Sequence, residues 1–307
     1  MEYSVILSLI KLARLHAVFV GFFMFLIGAL LACISGAPFT FMRFILGYAI
    51  LFTAQLSVSY SNDYFDVITD QYSAKNLFSG GSKVLVEHPE LRHFAKWFAV
   101  GLMVLSVGLA AVFTVVFSFS VFFLLFVIVG NIIGWFYTAP PVRLSYRGLG
   151  EMTTMLVIGF FIPELGYWAI KGGVDEFYLL FVVPFSLYGL ALIINVEVPD
   201  READARANKK NLIVRKGRGV GLLVSACALL LASLYFVACS LVIGGYHGID
   251  FRLVTLASFI PLGAGLGALL KRNAEPAILH RFVFATIAAL FVLVLLVDAY
   301  LFDLAAF

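Results

Sequence analysis

Charge is scarce in this chain. Asp, Glu, Lys and Arg make up 13% of its 307 residues, against about 25% in a soluble domain. So few charges cannot cover an aqueous surface, and an apolar content of 63% makes lipid the main solvent. The three cysteines, Cys33, Cys227 and Cys239, stand singly inside apolar runs. They lack the CxxC spacing of a zinc or redox site and read as small buried side chains. No twelve-residue loop of the EF-hand kind, with its central Gly, occurs, which excludes that calcium site. The net charge of +3 is too small to read as a nucleic-acid footprint, and no nucleic-acid partner is expected.

What the chain does have is long apolar runs, at about 15–35, 41–61, 94–115, 119–138, 151–171, 177–198, 219–242, 252–271 and 280–302. Each approaches the roughly 20 residues that a bilayer-spanning helix needs. Leu31-Ala32-Cys33 has the look of a lipoprotein cleavage site. The run before it is helix length and starts only after Lys11 and Arg14, so it reads as a first transmembrane helix. The runs do not alternate as barrel strands do, and in lipid a continuous apolar run satisfies its backbone only as a helix. The expectation is an all-α, polytopic membrane protein of nine transmembrane helices, one domain over 1–307. Three of the 21 basic residues, Arg43, Lys171 and Arg252, fall on one side of that arrangement, which leaves 18 for the other. By the positive-inside rule this predicts a multi-pass protein of the cell membrane. Its N-terminus and its loops at about 62–93 and 199–218 are expected to be cytoplasmic, and its C-terminus outside.

Two acidic clusters close the second and sixth runs. The first is Asn62-Asp63-Tyr64-Phe65-Asp66-Val67-Ile68-Thr69-Asp70. Spacings of three and four residues place Asp63, Asp66 and Asp70 on one helical face, and Asn62 joins them. The second is Asp200-Arg201-Glu202-Ala203-Asp204, following Asn195 and Glu197. Stacked like charges call for a cation. Both clusters are trailed by basic residues: Lys75 and Lys83 after the first, and Arg206, Lys209 and Lys210 after the second. Magnesium (Mg2+) characteristically joins a few carboxylates to the phosphates of a substrate. Carboxylates, metal and cations together neutralise a diphosphate and make it a good leaving group. Neither cluster holds Cys or His, which argues against zinc.

The pattern Asn-Asp-x-x-Asp-x-x-x-Asp at 62–70 with Asp-x-x-x-Asp at 200–204 resembles the UbiA superfamily of intramembrane prenyltransferases. Tyr137-Thr138-Ala139-Pro140-Pro141 and Gly148-Leu149-Gly150-Glu151 resemble the family's loop between helices 4 and 5. The resemblance covers nearly the whole chain and implies a helical bundle around a central cavity. It also implies magnesium-assisted ionisation of a prenyl diphosphate, with attack by an acceptor that is often aromatic. By position, Asp63, Asp66, Asp70, Asp200 and Asp204 would hold the metal, with Asn62 and Asn195 assisting. Lys75, Lys83, Arg143, Lys209 and Lys210 are candidates for the diphosphate, as is Arg14 at the start of the first helix. Tyr137 would sit near the ionising carbon, among aromatic side chains suited to a cation. Ser79-Gly80-Gly81-Ser82-Lys83 resembles the menaquinone-type branch, which prenylates 1,4-dihydroxy-2-naphthoate. The second motif departs from that branch, reading Asn195-Val196-Glu197-Val198-Pro199-Asp200. The implied function is prenyl transfer to an aromatic quinone precursor, with a non-aromatic lipid acceptor as the alternative.

Asn131 and Glu164 lie inside runs, and an intramembrane ionisable group is a functional hypothesis in its own right. Asp298, near the outer end of the last run, reads as solvated. His16 is placed to reach a cavity or to pack at the interface. A transporter is the rival from another class, but transporters place charge near the midplane on broken helices. Here the acids cluster at one face and only Glu164 is deep. The Asp-Gly-x-x-Ala-Arg string of CDP-alcohol phosphotransferases is absent.

Overall fold

The computed structural model describes residues 2–73 and 81–306, with side chains from residue 6 onward. In chain order the helices are α1 (Glu2–Leu12), α2 (Leu15–Ile34), α3 (Phe41–Phe65), α4 (Val67–Tyr72), α5 (Val84–Glu87), α6 (Arg92–Val116) and α7 (Val121–Phe136). They continue with α8 (Gly150–Leu156), α9 (Ile162–Lys171), α10 (Glu176–Arg206), α11 (Leu212–Lys216), α12 (Arg218–Val242), α13 (Phe251–Leu270) and α14 (Pro276–Ala305). A two-stranded antiparallel hairpin, β1 (Gly245–Tyr246) with β2 (Ile249–Asp250), joins α12 to α13. The fold is thus all-α.

Among the described residues, eight helices are long and apolar enough to cross a membrane: α2, α3, α6 with its leading turn, α8 continued into α9, α10, α12, α13 and α14. The ninth apolar segment, α7, is shorter than its sequence run. Ser120 caps its start by accepting from the Phe122 amide, and it stops at Phe136 before the Thr138–Pro141 turn. Its 16 residues span about 24 Å at 1.5 Å per residue.

Proline shapes two of the spans differently. Between α8 and α9 the backbone runs through a wide π turn, Val157–Phe161, just ahead of Pro163. Proline has no N–H for the preceding turn, and one extra residue in the turn absorbs that loss. In α10, by contrast, the helix continues through Pro184 and Pro199 to Arg206. The second motif is therefore helical, not part of a loop beginning at 199. The loop expected over 62–93 likewise contains the last turn of α3 as well as α4 and α5.

Two more expectations are corrected. Cys227 is exposed on α12, while Cys239 is buried. Asp298 is 4% exposed, so it is enclosed between helices and not solvated. Glu164 is fully buried. Asn131 is held by Ser106 Oγ at 3.2 Å and by the Val127 carbonyl at 2.9 Å.

The main core combines Phe25, Phe113, Phe123, Tyr167, Phe181 and Phe236, drawn from six helices. A smaller one beneath the first motif joins Leu12, Tyr60, Val67, Val84, Leu85 and Ala95. Helices α2 and α9 approach each other closely. A Cβ added at Gly28 would overlap the Pro163 carbonyl, and one added at Gly166 would overlap the Phe25 carbonyl. Both obstacles are backbone, which cannot rotate away. Without a hydrophobic drive between helices in lipid, such small-residue contacts carry association. Gly28→Val and Gly166→Val are each expected to cost about 2 kcal/mol or more, read as a lower unfolding temperature of the detergent-purified protein.

Candidate active site

The two acidic motifs arrive from α3–α4 and from α10, and each is positioned by local backbone. α3 ends at Phe65, and Asp66 bends the chain into α4 with φ −95° and ψ 9°. The i to i+4 pattern survives the bend: Asp66 N donates to Asn62 O at 2.8 Å and Asp70 N to Asp66 O at 2.9 Å. Asn62, Asp66 and Asp70 thus stay on one side and line a polar pocket of about 170 Å³. Asp200 and Asp204, one turn apart on α10, line its other wall with Glu197.

Lys209 ties the two walls together. Its Nζ donates to Asp66 Oδ2 at 3.0 Å and lies 3.5 Å from Asp204 Oδ1. Burial works against its charge, but Asp66 and Asp204 outweigh burial and raise its pKa. Tyr146 OH donates to Asp66 Oδ1 at 2.7 Å, and Asn211 Nδ2 donates to Asp204 Oδ2 at 2.8 Å. Thr138 Oγ1 donates to Asn62 Oδ1 at 2.8 Å, which links the turn after α7 to the first motif. Arg14, in left-handed conformation between α1 and α2, donates through Nη2 to Asp63 Oδ1. Gly81, at φ 67°, lies so close to Asp70 that any Cβ would overlap its carboxylate.

The described site residues read from sequence fall into three groups. Asn62, Asp66, Asp70, Tyr137, Asp200, Asp204, Lys209 and Arg14 all line the pocket. Asp63 sits behind it, 1% exposed, paired with Arg14. Four others point elsewhere. Asn195 turns toward α12, donating to Ser225 Oγ and Ala191 O, both at 2.8 Å. A helical residue five before Asp200 lies on a different face. Lys83 donates to the Ser73 carbonyl, and Arg143 stacks on the Tyr146 ring at 3.8 Å. Lys210 is exposed and outside the lining. Lys75 lies outside the described residues.

Glu197, Tyr146, Thr69 and Asn211 belong to the site without having been singled out. Glu197 had a signal: it precedes Asp200 by three residues, as Asp63 precedes Asp66. Tyr146 and Asn211 had none, because they reach the carboxylates only through the folding of two connections.

The donor set suits a hard divalent cation. It is all oxygen, and Glu197 Oε2 is buried without a hydrogen-bond partner. Among the described residues, however, no three or more Asp, Glu, His or Cys side chains are gathered closely enough to hold a metal ion by themselves.

Below the pocket lies an apolar cavity of about 760 Å³. Arg14, Asn62, Tyr137, Ile193 and Val196 line both spaces. Tyr137 therefore stands at their boundary.

Burial, reinforced by Asp63, pushes the Asp70 carboxyl up to about 8 from 3.8. The unfolded chain would ionise this group near pH 4 while the folded, metal-free protein keeps it protonated. Asp70 therefore destabilises the fold progressively as pH rises from about 4 to about 8, and adds nothing further above that. Asp70→Asn is expected to flatten this part of the stability–pH curve, measured by thermal unfolding in chelator.

The UbiA prenyltransferase family model matches residues 21–287. The chain is 24% identical over 233 residues to 1,4-dihydroxy-2-naphthoate octaprenyltransferase of Bacillus subtilis, covering 74% of this chain and 71% of that protein. In fold it is similar to a UbiA homolog from Archaeoglobus fulgidus bound to GPP and Mg2+, with a TM-score of 0.66, 17% identity, and 98% and 100% of the two chains covered. It is also similar to a digeranylgeranylglyceryl phosphate synthase, with a TM-score of 0.68, 15% identity, and 99% and 100% covered. The family match spans the two motifs and the turn after α7, and by it this chain belongs to the UbiA prenyltransferase family.

Proposed function

We propose that this membrane prenyltransferase moves an isoprenyl group from a prenyl diphosphate to an aromatic, quinone-precursor acceptor, with magnesium assistance. The observation that carries the reading is the junction of the two spaces. A carboxylate- and lysine-lined pocket opens directly onto a much larger apolar cavity, and five residues border both. A prenyl diphosphate has the same division between a charged head and a hydrocarbon tail. The aromatic acceptor is supported by similarity to the naphthoate-prenylating enzyme of Bacillus subtilis.

The roles of individual residues follow from position. Asp66, Asp70, Asp200 and Asp204, with Asp63 behind and Glu197 beside them, would hold the metal. When bound, magnesium supplies positive charge that lets diphosphate leave. Lys209 is placed to transfer its contact from Asp66 to the diphosphate, and Arg14 and Asn62 flank the same opening. Tyr137 would face the carbon that ionises, where an aromatic face stabilises positive charge. The apolar walls exclude water, which would otherwise capture the cation in place of the acceptor. The motif-bearing face is proposed to be the cytoplasmic one, from the skew of basic residues.

Purified protein in lipid, given a prenyl diphosphate, magnesium and a panel of aromatic and glycerol-type acceptors, is expected to release diphosphate only when magnesium is present. Asp66→Ala and Asp200→Ala are each expected to lower that release by at least about 100-fold, the scale of losing one preorganised electrostatic contact. Release that survives both substitutions would overturn the site assignment. A preference for a glycerol-type acceptor would overturn the aromatic one.

A further inference from the structure

We propose that α1 is an interfacial anchor, seated in the headgroup layer of the bilayer on the motif-bearing face, and that this seating holds Arg14 against the first acidic motif. At 11 residues, α1 extends about 16 Å at 1.5 Å each, too short to cross a hydrocarbon core of about 30 Å. One side of it packs inward. Ser8, Leu12 and Ala13 are buried, and Leu12 and Ala13 share the smaller core with Val67 of α4, Leu85 of α5 and Ala95 of α6.

The outward side of α1 is apolar too. Ile6, Leu7 and Ile10 are 56%, 42% and 47% exposed, with Lys11 exposed beside them. A helix bathed in water turns polar residues outward, and three aliphatic side chains left in water forgo their transfer free energy. The exposed apolar residues continue through Leu15 and Phe19 into α2, a helix of spanning length. Lipid that covers α2 therefore extends onto α1. The depth is marked by α6, which begins at the same level. Its first turns expose Phe94 and Trp97, and Lys96 Nζ lies 5.6 Å from the Trp97 ring centroid. Tryptophan beside lysine at the end of a spanning helix sits at headgroup level, where Lys11 meets lipid phosphates.

The anchor is linked to the site through one turn. Only Ala13 and Arg14 separate α1 from α2, and Arg14 is left-handed, with φ 46° and ψ 54°. A side chain other than glycine holds that conformation at a cost that surrounding packing has to outweigh. Here the packing comes from its neighbours Leu12 and Ala13. So held, Arg14 donates to Asp63 Oδ1. Asp63 is enclosed and its Oδ2 has no hydrogen-bond partner, so the Arg14 guanidinium is the charge that offsets it. Arg14 also lines the polar pocket beside Asp66 and Asp70. Unseating α1 would release this turn and withdraw a cation from the motif.

Two measurements on the full chain, one copy per lipid nanodisc, test the proposal. Ile10→Trp adds an indole on the outward side of α1. Its emission, taken as the difference from the unsubstituted protein, is expected to be quenched by lipid brominated near the glycerol end of the acyl chains and not by lipid brominated near the methyl end. Emission quenched by neither, or more by the deeper bromines, would overturn the anchor. The second measurement rests on the prenyl-diphosphate reading above. Ile6→Ser/Ile10→Ser is expected to raise KM for a prenyl diphosphate about tenfold, the scale of one charge-assisted hydrogen bond, with little change in kcat. Ile6→Leu/Ile10→Leu is expected to leave KM unchanged. Arg14→Gln is expected to raise KM at least as much, and adding the serine pair to Arg14→Gln to raise it no further. Additive effects would overturn the link to Arg14. Absence of diphosphate release by the unsubstituted protein would instead overturn the prenyl-diphosphate reading, and the same cycle read as unfolding temperature then tests the link.

Discussion

The site depends on one buried cation. Lys209 contacts Asp66 from the first motif and Asp204 from the second, joining α3–α4 to α10 across more than a hundred residues of sequence. Bringing this many carboxylates together in a low-dielectric setting costs several kcal/mol per uncompensated charge. The Lys209 ammonium, the Tyr146 hydroxyl and the Asn211 amide divide that cost among hydrogen bonds. On the function proposed above, a metal and a diphosphate would exchange partners with this cation.

Around that interaction the protein separates two solvents. The motif ends of α3 and α10 present oxygens to a small polar space, while their apolar stretches and those of α2, α7 and α14 wall a larger hydrocarbon space beneath. Tyr137 and Asn62 sit on the boundary, each fixed by hydrogen bonding to a neighbouring element: Tyr137 OH accepts from Thr154 Oγ1 at 3.4 Å, and Asn62 Oδ1 from Thr138. On the proposed function, such a boundary would hold the charged leaving group on the wet side and the reactive hydrocarbon on the dry side. Membership of the UbiA prenyltransferase family is consistent with that division of labour.

The bundle is held by means suited to lipid. Gly28 and Gly166 let α2 and α9 approach until backbone meets backbone. Aromatic rings such as Phe113, Phe119 and Phe123 interlock at centroid distances of 4.8–5.5 Å. The N-terminal helix α1 packs Leu12 against the elements beneath the first motif, and Tyr60 OH donates to the Leu9 carbonyl at 2.9 Å. Arg14 leaves this junction in a left-handed conformation that aims its guanidinium at Asp63. A residue outside the spanning helix thereby becomes part of the site.

The sequence by itself determined the helices and the two acidic stripes, because apolar run length and three-and-four spacing are local properties of a chain in lipid. It also marked Asp66, Asp70, Asp200 and Asp204 as neighbours of one opening, since both motifs close helices on the same side; that Lys209, alone of the candidate lysines among the described residues, lines it was decided by the fold. Only the tertiary structure decided that Asn195 turns to α12, that Lys83 and Arg143 are taken by Ser73 and Tyr146, and that Tyr146 and Asn211 enter the site. Those outcomes depend on how connections fold back over the helix ends, and no periodicity records that. The same holds for Asp298 and Cys227, where rotation of a helix about its axis decided between enclosure and lipid. An apolar helix surrounded by apolar solvent carries little in its own sequence to say which face turns inward.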